Sequence, residues 1–293
     1  MRARKEKESD KNRAILGECH TLTIYLQAVK LCPQLNASSL YYKVKLFCHN
    51  FTIYDLETNL GTCYWFDETK TDLHASTYAS CVVDYLKDNF LDKGDKREVI
   101  IFSDGCTAQN RNSIMSNALL HLSEMYSVKI TQKYLAKGHT QMVCDSVHAC
   151  IKTSLKNKDI YLPSDYARIT KEAKKKNPYI VKTPDFDFFT NFNYKPLMKY
   201  DSIRPIKVLS DPVVTNLRVL EYLPKGEINF KINFNDEFQV LPRRPKAISL
   251  AGVEFPRLYK RLQKIKKKFD HLNEIKPVIP KDCWAYYESL QYE

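Results

Sequence analysis

The chain has 293 residues, of which 44% are hydrophobic and 12% aromatic, so it carries enough apolar content for a packed core and is not a disordered segment. With 46 Lys and Arg against 34 Asp and Glu, its formal charge of +12 favours an anionic partner. No run approaches the roughly 20 apolar residues that span a bilayer. The charged start MRARKEKESDKNRA offers no signal peptide. These features predict a soluble, intracellular protein with no membrane contact.

Residues 1–18 read as a solvated charged helix or tail, and so charged a beginning resembles the interior of a longer protein. Leu22, Ile24, Leu26, Val29 and Leu31 form an apolar element ending at Cys32-Pro33. Tyr41 to Ile53 reads as a strand, Asn59-Leu60-Gly61 as a hairpin turn, and Thr62 to Phe66 as the return strand. Tyr78, Val82, Tyr85 and Leu86 mark an amphipathic helix. After Gly94-Asp95 come a strand over Val99–Phe102, a helix from Ile114 to Met125, a strand over Val128–Leu135, and a helix carrying Val147, Ile151 and Leu155. Pro163-Ser164-Asp165 predicts a helix through Lys176 with Ser164 as its cap, and Tyr179–Lys182 is extended. Residues 184–246 alternate like a small β appendage, 254–273 read as a Lys-rich helix, and Pro280 starts a last short helix.

A hairpin followed by alternating strands and helices predicts an α/β fold, a mixed sheet flanked by helices. The expected organisation is a charged segment over 1–39, a core over 40–182, a β-rich appendage over 183–246, and a basic helical segment over 247–293. Nine scattered cysteines without a CxxC pair predict buried free thiols in a reducing compartment.

Two stretches carry chemistry. VIIFSDGCTAQNRN ends an apolar strand at Asp104, and YLAKGHTQMVCDSVH brings Asp145 and His148 to a helix start. Strand ends that present acids beside polar groups are how metal-dependent phosphoryl-transfer sites are often built. Magnesium or manganese would suit such oxygen ligands. His148 could bind metal, orient water or contact phosphate. Gln109, Asn110 and Asn112 could donate to phosphates at a helix N-terminus. The plainer readings are a turn at Asp104, a helix cap at Asp145 and a loop histidine at His139.

SDGCTAQNRN followed by GHTQMVCDSVH resembles a group of uncharacterised, transposon-derived eukaryotic proteins that carry SDxCxxQNxN and GHTxxxxDxxH in an integrase-like domain. The likeness extends over most of residues 15–290, through NFTIYD, CYWFDE and IPKDCWAYYESL. It implies a ribonuclease H-like, DDE-type fold, with acids on the first strand, on the fourth strand, and on a helix after the fifth. Asp104 matches the second position and Asp145 the third. The resemblance puts the neutral Asn50 at the first, with Asp55, Asp67 and Glu68 as substitutes. It thus implies a DNA-binding, transposase-derived protein with degenerate metal-dependent cleavage or strand transfer, and a nuclear location.

Basic segments support an anionic partner. Lys174, Lys175 and Lys176 end one helix, and residues 243–281 hold twelve Lys and Arg, among them Lys264, Lys266, Lys267 and Lys268, against three acids. Such charge makes phosphate contacts. Two other readings stay open: a non-catalytic nucleic-acid-binding module, and a hydrolase holding a transition metal with His139, His148, Asp104 and Asp145.

Overall fold

In the computed structural model, residues 2–35, 44–135, 143–206, 212–242, 245–248, 254–260, 265 and 268–292 are described. The first half comprises α1 (Arg2–Ile15), β1 (Cys19–Leu26), β2 (Lys30–Cys32), β3 (Leu46–Asp55), β4 (Gly61–Asp67), α2 (Ala75–Asn89), β5 (Glu98–Ser103), α3 (Ser113–Tyr126) and β6 (Ile130–Tyr134). There follow α4 (Val143–Leu155), α5 (Pro163–Glu172), β7 (Ile180–Lys182), β8 (Val219–Tyr222), β9 (Ile228–Lys231), β10 (Gln239–Val240), α6 (Phe269–Glu274) and α7 (Trp284–Glu288). The fold is α/β: one ten-stranded mixed sheet in the order β10-β9-β8-β6-β5-β1-β3-β4-β7, with β2 paired to the start of β3.

At the centre, β1, β5 and β6 run parallel, whereas β3 is antiparallel to β1, and β4 to β3. Parallel strands need helices on both faces to cover them, and the sequence supplies two cores. On one face Leu22 and Ile24 of β1 pack with Tyr78 and Val82 of α2 and Leu119 of α3. On the other, Cys19, Ile100 and Phe102 pack with Val147 and Ile151 of α4 and Tyr166 of α5. Because side chains alternate along a strand, Thr21, Thr23 and Tyr25 of β1 share this second face.

The apolar element over residues 22–31 proves to be two strands, since β1 ends at Leu26 and β2 begins at Lys30. The strand predicted from Tyr41 starts at Leu46; residues 41–43 lie outside the described residues. The helix predicted through Lys176 stops at Glu172, and Asn177 takes a positive φ of 53° in the turn that follows. Its start is secured by Asp165, which accepts from the backbone N–H of Tyr161 and Leu162, and not by Ser164. The strands within 184–246 do not stand apart: β8 pairs with β6 and continues the central sheet. Of the basic helix expected over 254–273, Glu254–Lys260 are non-helical, with Arg257 bridged to Thr190, and α6 forms; residues 261–264, 266 and 267 lie outside the described residues. All nine cysteines are free, and seven are buried.

Candidate functional site

The parallel strands β1, β5 and β6 end on one edge of the sheet. Thr23 pairs with Phe102, so two residues further along each strand Tyr25 and Asp104 stand side by side on the face that α4 covers. Asp145 occupies the first turn of α4, exposed, and His148 follows one turn later. Burial, then the charges of Asp104 and Asp145, push the Tyr25 phenol above its ordinary value. Both sequence-predicted carboxylates therefore act on one side chain, which stays protonated and neutral at pH 7.

The loop after β5 is built to hold Asp104. Its Oδ1 accepts from the backbone N–H of Cys106 at 3.0 Å and from Asn110 Nδ2 at 3.1 Å. Gly105 has a φ of 71°, and a Cβ there would lie 1.7 Å from Arg111 Nη2. Only glycine meets both demands. Arg111 is buried, with its guanidinium 4.6 Å above the ring of Tyr134. Gln132 completes the support, donating to the Asn110 carbonyl and accepting from Tyr134 and Tyr222 hydroxyls. A buried amide engaged at both ends, as Gln132 is, fixes a loop's geometry. Asn112 caps α3 by accepting from Met115 N–H, and its amide donates to the Thr107 carbonyl. Both ends of Asn112 are thus engaged in the fold, which argues against the phosphate-contact role expected of it. Asn110 is likewise buried and structural, while Gln109 stays half-buried at the loop surface.

Asn50 is not on the first strand. It lies on β3, buried, and donates to Gln27 Oε1 at 3.1 Å; Gln27 in turn donates to the His148 carbonyl. It tethers α4 to the sheet. The sequence hides this because β1, CHTLTIYL, carries no acid, whereas HNFTIYDL offers Asn50 and Asp55. Asp55 sits towards the opposite end of the sheet, level with Leu22, where it accepts from Glu57 and Thr58 N–H in the hairpin turn. Asp67 is likewise turned inward to Thr69, and Glu68 pairs with Lys268. None of these three joins Asp104. Tyr25, Gln27 and Arg111 are the site residues that sequence reasoning missed; the alternation of Leu22 and Ile24 with Thr21, Thr23 and Tyr25 was the available signal.

His148 Nε2 lies 3.0 Å from Thr52 Oγ1, and its ring stacks 5.8 Å from Tyr25. Burial, aided by the nearby Lys30 charge, lowers its pKa to about 4, so it is neutral at pH 7. Among the described residues no group of three or more His, Cys, Asp or Glu could hold a metal ion. His139 lies outside the described residues. Two carboxylates beside a neutral phenol do not supply the negative charge that two closely spaced divalent ions require, so the donor set does not fit a paired magnesium or manganese centre.

Cations lie next to the acids. An open cavity of about 400 Å³, lined by Tyr25, Gln27, Asp145 and His148, shares Lys30 and Lys152 with a second of about 740 Å³. The second adds Lys156 and Lys158, and no carboxylate lines it. Together they form a groove along α4. Burial and then the charge of Lys152 hold the pKa of Lys30 down. Of the basic residues predicted from sequence, Lys174–Lys176 follow α5, with Lys174 held 5.8 Å over the Tyr179 ring. Lys268 is neutralised by Glu68 at 2.7 Å and lies 3.7 Å over Phe47, so it is not available for phosphate. Lys264, Lys266 and Lys267 lie outside the described residues.

No helix among the described residues is long and apolar enough to cross a membrane. No curated protein and no solved structure matches the chain. Its family is shown by a model described as Domain of unknown function (DUF8701), which matches residues 38–194, more than half of the sequence; the chain belongs to that family. The match takes in Asp104, Asp145 and His148 but begins after Tyr25.

Proposed function

We propose that this member of the DUF8701 family is a DNA-binding protein with a ribonuclease H-like, DDE-type core, transposase-derived, whose cleavage centre has lost one of three carboxylates. The observation that carries the reading is the placement of Asp104 and Tyr25 just past the paired stretch of β5 and β1, with Asp145 in the first turn of α4. The strand order β4-β3-β1-β5-β6 supports it, with two antiparallel pairings followed by two parallel ones. In a DDE-type arrangement the acids come from the first strand, the end of the fourth and a helix after the fifth. Those places correspond here to β1, Asp104 after β5, and Asp145 on α4. The remaining place on β1 falls to Tyr25, a neutral side chain.

The groove along α4 supplies the electrostatics. Among the described residues no acid lies at ion-pair distance from Lys30, Lys152, Lys156 or Lys158, which line the groove that begins at Asp145. Phosphate contacts of this kind release counterions and make affinity fall steeply with salt. Gln27, Asn50 and Thr52 hold α4 in register with the sheet, so the lysines and Asp145 keep a fixed relation. The function this favours is binding, with cleavage in magnesium absent or barely above background.

The test is a paired assay on the unaltered chain. Fluorescence anisotropy with a DNA duplex should show binding that weakens by at least about tenfold between 50 and 200 mM salt. Nicking of supercoiled plasmid in magnesium should not exceed that of the Asp104→Asn variant. Absence of DNA binding at 50 mM salt, or robust cleavage that needs Asp104, would refute this function.

A further inference from the structure

At the end of β4, separated from the Asp104 loop by β1 and β3, residues of β4, α5 and α7 line a cavity of about 290 Å³. Trp65, Pro163 and Pro184 give it apolar walls, while Asp67 and Tyr286 line it with polar groups. Sites for small molecules commonly combine apolar walls with a few converging polar groups, and this volume lies at their lower bound of roughly 300 Å³.

Two polar groups are in an unusual state. Asp67 is 5% exposed. Its Oδ1 accepts both the N–H and the hydroxyl of Thr69, and among the described residues no cation reaches the carboxylate at ion-pair distance. Lys70, the nearest by sequence, instead holds Asp185 at 3.0 Å on the cavity wall. Burial raises the pKa of Asp67. The Tyr286 hydroxyl oxygen is also buried; its neighbour is Thr69, whose hydroxyl proton goes to Asp67, so the phenol oxygen accepts no hydrogen bond. The charge of Asp67 helps to push its pKa up, after burial, so phenol and carboxyl share one environment. An unpaired buried carboxylate and an unsatisfied buried hydroxyl are each costly. Trp65 is held for contact: its Nε1 donates to Thr170 Oγ1 at 3.0 Å and its ring stacks 5.0 Å from Tyr166.

We propose that this cavity binds a small planar cation, a guanidinium or amidinium group carried on a flat or short apolar body. Such a group presents several N–H donors in one plane, which a carboxylate accepts as a charge-assisted pair. A further N–H would reach the idle Tyr286 oxygen. The apolar walls and the Trp65 indole suit a weakly hydrated planar cation better than an ammonium. An anion is disfavoured by Asp67. A neutral apolar ligand would leave both polar groups unpaired.

The site is tested with benzamidinium chloride as a free cation and with a capped Gly-Arg-Gly tripeptide as the same chemistry borne on a protein segment. Each is titrated into the full chain and followed by calorimetry and by the indole N–H resonance of Trp65, one of only two tryptophans. Benzamidinium should bind saturably at one site and shift that resonance; benzyl alcohol should not. Asp67→Asn should weaken binding at least tenfold and Tyr286→Phe at least threefold. Ser164→Trp, at an exposed position on the cavity wall, should abolish it without changing the circular dichroism spectrum. Binding of benzamidinium alone assigns a free small ligand, and binding of both probes or of the peptide alone assigns an arginine side chain. No saturable binding of either, or binding undiminished by both Asp67→Asn and Ser164→Trp, overturns the proposal.

Discussion

The two ends of the β1–β5 pair show what separates a structural acid from a functional one. Near the start of the strands the acids are matched by cations, apart from Asp55, which its own turn caps through backbone N–H groups. Glu98 holds Arg13 and Lys129, at 3.3 and 3.1 Å. Asp95 holds Arg97 at 2.8 Å and His20 at 2.9 Å, and the Arg97 guanidinium, ahead of His20, keeps its pKa far below the usual carboxylate range. At the other end Asp104 takes bonds from neutral donors only, a backbone N–H and an amide. Asp145 stands exposed at a helix start, beside a groove of lysines. An acid at a strand end is thus uninformative until its partners are known. One end is closed by ion pairs and serves stability; at the other, among the described residues, Asp104 is held by a backbone N–H and an amide.

The contrast is broken most severely at the Asp104 loop. Gly105→Ala places a Cβ against Arg111 and imposes a left-handed φ on alanine. The backbone strain costs roughly 1–2 kcal/mol, and displacing a buried guanidinium adds to it. Urea unfolding should show a loss of about 2–4 kcal/mol in total, in the range of the more disruptive single substitutions. A loss under about 0.5 kcal/mol would mean that the loop is not held as described.

Tyr25→Asp should sharpen the contrast by giving the open end a third carboxylate. Manganese affinity, measured by calorimetry, should rise at least about tenfold, or about 1.4 kcal/mol. Without metal the three acids repel, so thermal stability should fall and recover on adding manganese. Asn50→Asp should do less, because Asn50 faces Gln27 and not Asp104. Equal effects from the two variants would put the first position back on β3.

A smaller effect is expected at the closed end. Asp95 has a depressed pKa in the folded state, so its contribution is complete above the unfolded value of about 3.9 and is lost as pH falls through the folded value. Asp95→Asn should therefore cost about 1 kcal/mol at pH 7, an amount discounted for its partial exposure. The gap from the unaltered chain should close progressively below pH 4. A gap that is constant with pH would show that charge is not the source.

Much of this was legible in the sequence. The alternation of strand and helix from residue 40 onward gave the α/β class, and the SDG and CDSVH strings located two carboxylates that both act on Tyr25. What could not be read was set by long-range pairing. β1 is buried on both faces yet alternates Thr21 and Thr23 with Leu22 and Ile24 and bears no acid, so its place at the centre of the sheet shows only in the pairing. The strands of 219–240 looked detached because their partner, β6, lies some ninety residues earlier. The lysines of 254–273 invited a helix, but Pro256 and the bridge to Thr190 keep its first part extended. The cations of the α4 groove are spread over Lys30 and the 152–158 segment, and only folding brings them together.

The most direct measurement is the salt dependence of DNA binding for the unaltered chain and for Lys152→Glu/Lys156→Glu. Each phosphate contact contributes roughly 0.9 to the slope of log affinity against log salt. The account predicts that the double variant binds more weakly and that its slope is shallower by about 2. An unchanged slope and affinity would contradict it and move any nucleic-acid contact away from the Asp104–Asp145 edge.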